Sequence, residues 1–330
     1  MRKNKKMVLG NYDKKQKGSK KIYIYLLIIC MLLVGAFYQI YYVYAHANQY
    51  GRVGKLIDVN DSMMHLYTSA SSGMPLVFAS NIGTSVPYAE LYPLFSKFSE
   101  EAAIAVYDKP GYGWSELTKA PRDVTTIASE IHTLLHNSNH PLPALFIAHS
   151  MGSLEVLRYA QLYPEDVAGI VLIDGASPDF CSKYNNIMIV ESFLMNGLRN
   201  VGLLRLLSDT DAMQKILNTN DMLPEELKTL NSGITLEKLW NRNMIEEKLK
   251  LQSNAKMILE GGTLGDIPLH IITSKTNPYG TWQQTQTTLL KFSSNSTQTY
   301  MDGSVNFIEE KDMAIIQGVI SSLITSLQKE

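Results

Sequence analysis

The stretch Leu145-Phe146-Ile147-Ala148-His149-Ser150-Met151-Gly152 constrains the fold more than any other part of the chain. An apolar run meets a serine and then a helical pattern, so a buried strand has to turn sharply into a helix. Strand and helix approach closely at such a turn only where the flanking residues are small, and here these are Ala148 and Gly152. The turn would lift the Ser150 hydroxyl above the strand end. It would also aim the Met151 backbone N–H, at a helix N-terminus, towards a developing oxyanion. That geometry suits acyl transfer. An ordinary strand-to-helix loop containing Ser and Gly gives the same short pattern, so the surroundings have to decide.

Those surroundings alternate strand and helix. Lys55 to Val59 and Met63 to Thr68 flank Asn60-Asp61 and read as a β-hairpin. A buried strand follows at Leu76 to Ala79, then a helix from Tyr88 to Phe98 and a strand from Ala102 to Tyr107. A helix from Val124 to Leu135 and a strand from Ala144 to Ala148 deliver Ser150, and the helix Leu154 to Leu162 precedes a strand at Gly169 to Ile173. Such alternation predicts a mostly parallel sheet with helices on both faces. Residues 181–262 break it with helical stretches and no strong strand. Strands at Pro268 to Thr273 and Gln298 to Met301 and a helix from Lys311 to Leu327 complete the pattern.

The order of strand, SNIGT loop, YDKPGYGWS (Tyr107 to Ser115), helix, AHSMG, helix and VLIDGASPD resembles the α/β-hydrolase superfamily, esterase- or lipase-like members in particular. The resemblance covers about residues 50–180, with a weaker match from 266 to 330. It implies an α/β fold with a core over 55–180 and 263–330 and a helical cap over 181–262. It implies Ser150 as nucleophile, with Met151 and Ile82 supplying oxyanion N–H groups, and a structural role for Asp108 in the loop after the fourth strand. The family's general base belongs in the loop after the eighth strand, where Asn306 stands at the histidine's place. The loop after the seventh strand holds Asn277 but no carboxylate, which leaves Asp174 and Asp179, after the sixth strand, as candidate acids. Of these Asp174 reads first as structural. An asparagine amide cannot accept the serine proton, and losing general-base help costs about 10² to 10⁴ in rate. The resemblance therefore leaves two readings open: a serine hydrolase of apolar esters or amides, or a catalytically impaired relative kept for binding.

The N-terminus adds an address. Residues 1–21 hold nine Lys or Arg against Asp13 alone, while 30 of the 31 acidic residues follow. Residues 22–44 form an uncharged run, long enough to cross a bilayer as a helix. Tyrosines stand at both ends, Tyr23 and Tyr25 at one and Tyr38, Tyr41, Tyr42 and Tyr44 at the other. The basic tail then belongs on the cytoplasmic side, and the hydrolase-like part, after a juncture at 45–54, outside. A cleavable signal peptide is the rival reading, with Ala45-His46-Ala47 the nearest match to a cleavage site. In the cap, Ile187 to Leu207 is apolar but interrupted by charge, which makes it a face packed on the core or a membrane-dipping lid. No nucleic-acid motif accompanies the basic block. No cofactor or metal is expected, since HExxH, Cys/His clusters and phosphate-binding loops are absent. His65, His132, His136, His140 and His149 read as packing or surface residues. Cys30 and Cys181 cannot pair within one monomer.

Overall fold

The structure is a computed structural model. It describes residues 2–46, 49–69, 72–184, 189–217, 222–277, 279–303 and 310–329.

Strand β1 (Lys55–Val59) and strand β2 (Ser62–Thr68) form the hairpin, with Asn60 and Asp61 both at positive φ, as a two-residue turn between right-twisted strands requires. β2 runs antiparallel to β4 (Ala102–Asp108), and from there the sheet is parallel through β3 (Met74–Ala79), β5 (Ala144–His149), β6 (Val167–Ile173), β7 (Leu269–Ser274) and β8 (Ser296–Met301). The order across the eight strands is β1-β2-β4-β3-β5-β6-β7-β8. The expected α/β architecture is therefore present.

Both faces of the parallel part from β4 to β7 are buried, which is why those strands read as largely apolar runs, whereas the edge strand β8 is polar and half-exposed. One face carries Val77, Ala79, Phe146, Ala148, Leu172 and Ile271. It is covered by α3 (Val124–Ser138) and α4 (Gly152–Leu162), and further along by α11 (Leu251–Glu260) and α12 (Trp282–Leu289). The other carries Phe78, Ile104, Ile147, Ile173 and Ile272, covered by α2 (Pro87–Phe95) and α13 (Glu310–Leu327). Asp123 caps α3 by accepting the Thr126 N–H at 3.0 Å.

After β6 come the short α5 (Pro178–Cys181) and the cap, built from α6 (Ile189–Asn200), α7 (Leu203–Leu206), α8 (Asp211–Leu217), α9 (Glu225–Lys238) and α10 (Arg242–Leu249), and closed by α11. No strand occurs among its described residues. The cap is tied to the core by charge as well as by apolar packing. Lys109 Nζ lies 2.6 Å from Glu155 on α4 and 2.6 Å from Glu247 on α10, and all three are buried. Tyr112 donates to Glu247 at 2.8 Å and Tyr107 donates to Glu155. Burial disfavours the Lys109 ammonium, yet the two carboxylates outweigh it and its pKa is raised. Burial raises that of Glu155. The Asn241 side chain donates to the Gly111 carbonyl at 2.6 Å, stapling the YDKPGYGWS loop to the same part of the cap.

Helix α1 (Arg2–Ala45) is continuous from the basic block into the apolar run, rather than starting at residue 22. Its stretch Lys21–Ala45 is long and apolar enough to cross a membrane, and only 6% of its most apolar window is buried. Its far end docks on the cap. Gly35 packs so closely that an added Cβ would lie 2.3 Å from the Val201 carbonyl oxygen. Gln39 donates to the Leu236 carbonyl at 2.9 Å and accepts from Arg205 Nε at 2.9 Å, and the Arg205 guanidinium stands 3.8 Å from the centre of the Tyr42 ring.

Candidate active site

β5 and α4 meet at Ser150, whose φ of 50° lies in the left-handed region that a non-glycine residue occupies at a cost of order 1–3 kcal/mol. The turn is held by its neighbours. The Ser150 N–H donates to the Ile173 carbonyl at 3.0 Å, and the Ser150 carbonyl accepts from the Ala176 N–H at 2.9 Å. Gly152 is obligatory, because a Cβ there would sit 2.6 Å from the Ser80 carbonyl oxygen. This close crossing of α4 over the end of β3 is what the small residue at 152 anticipated.

Ser150 is 5% exposed and opens on a cavity of about 170 Å³. Asn81, Ile82 and Met151 line it from the core, Trp240, Lys248 and Leu251 from the cap, and Tyr184, Tyr279 and Trp282 close it. Pockets for drug-sized ligands run to about 300–1,000 Å³, so this one is compact. Ile82 and Met151, the two expected oxyanion donors, thus lie on the same cavity as Ser150. The Met151 N–H is occupied, donating to Asn81 Oδ1 at 3.3 Å. Lys248 Nζ donates to Ser192 Oγ at 3.0 Å and stands 4.3 Å from the centre of the Trp240 ring. Burial lowers its pKa.

Asp174 is fully buried, also at positive φ, and collects three donors: the Ser274 N–H at 3.0 Å, Trp282 Nε1 at 2.8 Å and Asn277 Nδ2 at 3.0 Å. Burial raises its pKa and those donors oppose the rise. Through Trp282 it is one residue removed from the cavity wall. Asp179 lies on α5, half-buried, and no described hydrogen bond joins its carboxylate to the elbow. Asn306 falls outside the described residues. Asp108 accepts from the Trp114 N–H at 3.1 Å and pairs with His65 at 2.8 Å, and Gly113 packs directly on its carboxylate.

None of the chain's seven histidines lines the Ser150 cavity. His149, next to the serine, turns to the opposite face of the sheet, where its Nδ1 meets Glu90 Oε1 at 2.6 Å. His270 bonds Thr299 across β7 and β8 at 2.8 Å. His140 is buried without a partner for Nε2, and burial lowers its pKa to about 4. The cavity residues contributed by the cap, Trp240 and Lys248, carry no sequence signal, whereas Asn81 stands in the expected oxyanion loop.

A family model described as alpha/beta hydrolase fold matches residues 76–262, more than half of the chain. The chain belongs to the α/β-hydrolase fold family. Over 204 residues this α/β-hydrolase is 28% identical to the Bacillus subtilis protein YbdG, covering 61% of its own length and 62% of that relative, which is less than two thirds. Among solved structures it is similar to Cfl2 from Burkholderia cenocepacia, at a TM-score of 0.63 and 14% identity over 82% of this chain and 95% of that one. It is likewise similar to the enol-lactonase from Burkholderia xenovorans LB400, at 0.59 and 15% over 84% and 100%. At those identities the likeness is one of fold. The family is hydrolytic in type, and the catalytic set seen here is incomplete among the described residues.

Proposed function

We propose that this protein is a membrane-anchored serine hydrolase that cleaves a carboxylic ester or amide of apolar character. The observation that carries the reading is Ser150 itself, held at positive φ at a strand-to-helix turn and facing an aromatic cavity that also contains Met151 and Ile82. In the reaction, Ser150 Oγ bonds to the substrate carbonyl carbon while the carbonyl π pair moves onto oxygen. The Met151 and Ile82 N–H groups receive that oxyanion once Asn81 releases the first of them. The serine proton needs an acceptor. Lys248 is the candidate the cavity offers, because neutral lysine serves as base in Ser-Lys hydrolases and burial already lowers its pKa. Collapse of the tetrahedral intermediate expels the alcohol or amine, which takes that proton, and water then releases the acid.

The anchor supports the choice of an apolar substrate. Lys21 to Gln39 rises about 27 Å at 1.5 Å per residue, against a hydrocarbon thickness of about 30 Å. In a bilayer entered at Lys21, Arg205 and Gln39 then reach the far interface, where charged groups can contact water. Val190, Phe193 and Leu194 are exposed on α6, which packs on α1, and exposed Leu206 follows Arg205, an arrangement suited to the lid reading. The basic block puts the N-terminus in the cytoplasm and the hydrolase domain outside. Protease added to intact cells should then digest the domain without permeabilisation.

The test of activity is labelling by a fluorophosphonate probe, with Ser150→Ala as control and a competent relative in parallel. Labelling of the parent but not the variant supports the reading; a folded parent that stays unlabelled sinks it. The second reading, a binding protein on a hydrolase frame, is favoured by one observation, that no histidine reaches the cavity. In that case the cavity should bind an ester without turning it over.

A further inference from the structure

On the outer side of α3, away from Ser150, two histidines and a carboxylate converge. The spacing of His132 and His136 puts both rings on one helix face, their centres 4.2 Å apart. The turn Pro164–Asp166, leading into β6, brings Asp166 against them. Asp166 Oδ2 lies 2.9 Å from His132 Nδ1 and 3.2 Å from His136 Nε2, and the candidate ligand atoms of the three residues lie within 4.8 Å of one another.

We propose that His132, His136 and Asp166 form a binding site for a divalent transition-metal ion of the zinc class. Metal–ligand bonds of about 2.0–2.1 Å put neighbouring ligands of a tetrahedral site roughly 3.3 Å apart, and the two measured edges are close to that. Two imidazoles with one carboxylate favour zinc, cobalt, nickel or copper over calcium and magnesium, which take oxygen ligands. The surroundings are those of a supported site. Tyr159 donates to Asp166 Oδ2 at 2.7 Å, and His132 stacks on Tyr163 with ring centres 3.9 Å apart and planes 8° from parallel. Such outer contacts fix the orientation of metal ligands. Binding needs no net proton release from neutral histidines: each ring shifts its proton to the nitrogen turned away from the metal. Solvent would fill the fourth position, since His136 is half exposed.

The site ties the last turns of α3 to the segment between α4 and β6. That segment enters β6 at the end opposite to Ile173, whose carbonyl holds the Ser150 turn. Its effect is therefore on stability rather than on chemistry at Ser150, and it does not depend on the function proposed above.

The experiment uses the full chain without a histidine tag, purified in detergent, stripped with a chelator and titrated with Zn²⁺ or Co²⁺. One equivalent should bind saturably, with the visible absorption of a low-coordinate Co²⁺ site. A hundredfold excess of Zn²⁺ over Kd should raise the folded-to-unfolded ratio about a hundredfold, a Tm increase of roughly 5 °C. His136→Gln and His132→Gln should each weaken binding at least tenfold, and Ca²⁺ should have no effect. Absence of saturable binding to folded protein overturns the proposal, as does Zn²⁺ binding that both variants retain.

Discussion

Asn277 Nδ2 donates to Asp174 Oδ2 across 3.0 Å, joining the loop after β7 to the residue that follows β6. The asparagine stands where the family resemblance leads one to look for an acid, yet its amide is a donor to a carboxylate already present. Asn277→Asp would put two carboxylates within hydrogen-bonding distance, and only one of them could ionise easily. The pair would then keep a proton up to higher pH when folded than when unfolded. Stability should fall by about 1–3 kcal/mol at neutral pH and recover as the pH is lowered into the carboxylate range. Thermal unfolding of parent and variant across that range is the check; a pH-independent difference would point to lost packing instead.

Asn81 masks the Met151 N–H at 3.3 Å. Asn81→Ala should free that donor, and a neutral hydrogen bond of about 1 kcal/mol corresponds to a rise of severalfold in the fluorophosphonate labelling rate of Ser150. A loss of labelling instead would mean that the Asn81 amide is itself an oxyanion donor.

Lys109 offers a larger effect. Lys109→Met leaves Glu155 and Glu247 buried without their counter-ion, a change that in buried pairs costs about 3–5 kcal/mol. Chemical denaturation should show that loss, and Lys109→Met with Glu155→Gln and Glu247→Gln should regain part of it. Failure of the triple variant to recover anything would assign the effect to packing around Tyr107 and Tyr112.

His140 sets a pH window. Its pKa in the folded protein is about 4, below the ordinary histidine value of about 6.5, so the unfolded chain takes up the proton first as the pH falls. Its contribution is whole above pH ~6.5 and is lost progressively down to pH ~4, on the order of 3 kcal/mol at full extent. His140→Leu should flatten the stability profile through that window. An unchanged profile would show that His140 is already protonated, or reached by water, in the folded state.

What could be read from the sequence divides along a physical line. The sheet strands, the Asn60-Asp61 turn and the crowded Gly152 are local patterns, and each leaves a signature within a few residues. Boundaries moved by a few positions, as at α2, which ends at Phe95 rather than Phe98. Relations between distant segments left no such trace. Lys109 lies 138 positions from Glu247 and His132 lies 34 from Asp166, and neither spacing follows from propensity or periodicity. The same is true of Gln39, which in the apolar run reads only as an interruption and in the structure bonds to two points of the cap.

Gln39, Tyr42 and Gly35 make the N-terminal helix a mast rather than a tether. A domain on a flexible leash sweeps a hemisphere and meets its targets at a concentration diluted by the reach of the linker. One clasped through Arg205 and Leu236 is held at a single height and a single azimuth. With Lys21–Ala45 across a bilayer, as proposed above, such a protein would survey the membrane by lateral diffusion of the whole body, and its cavity would meet what lies at that depth.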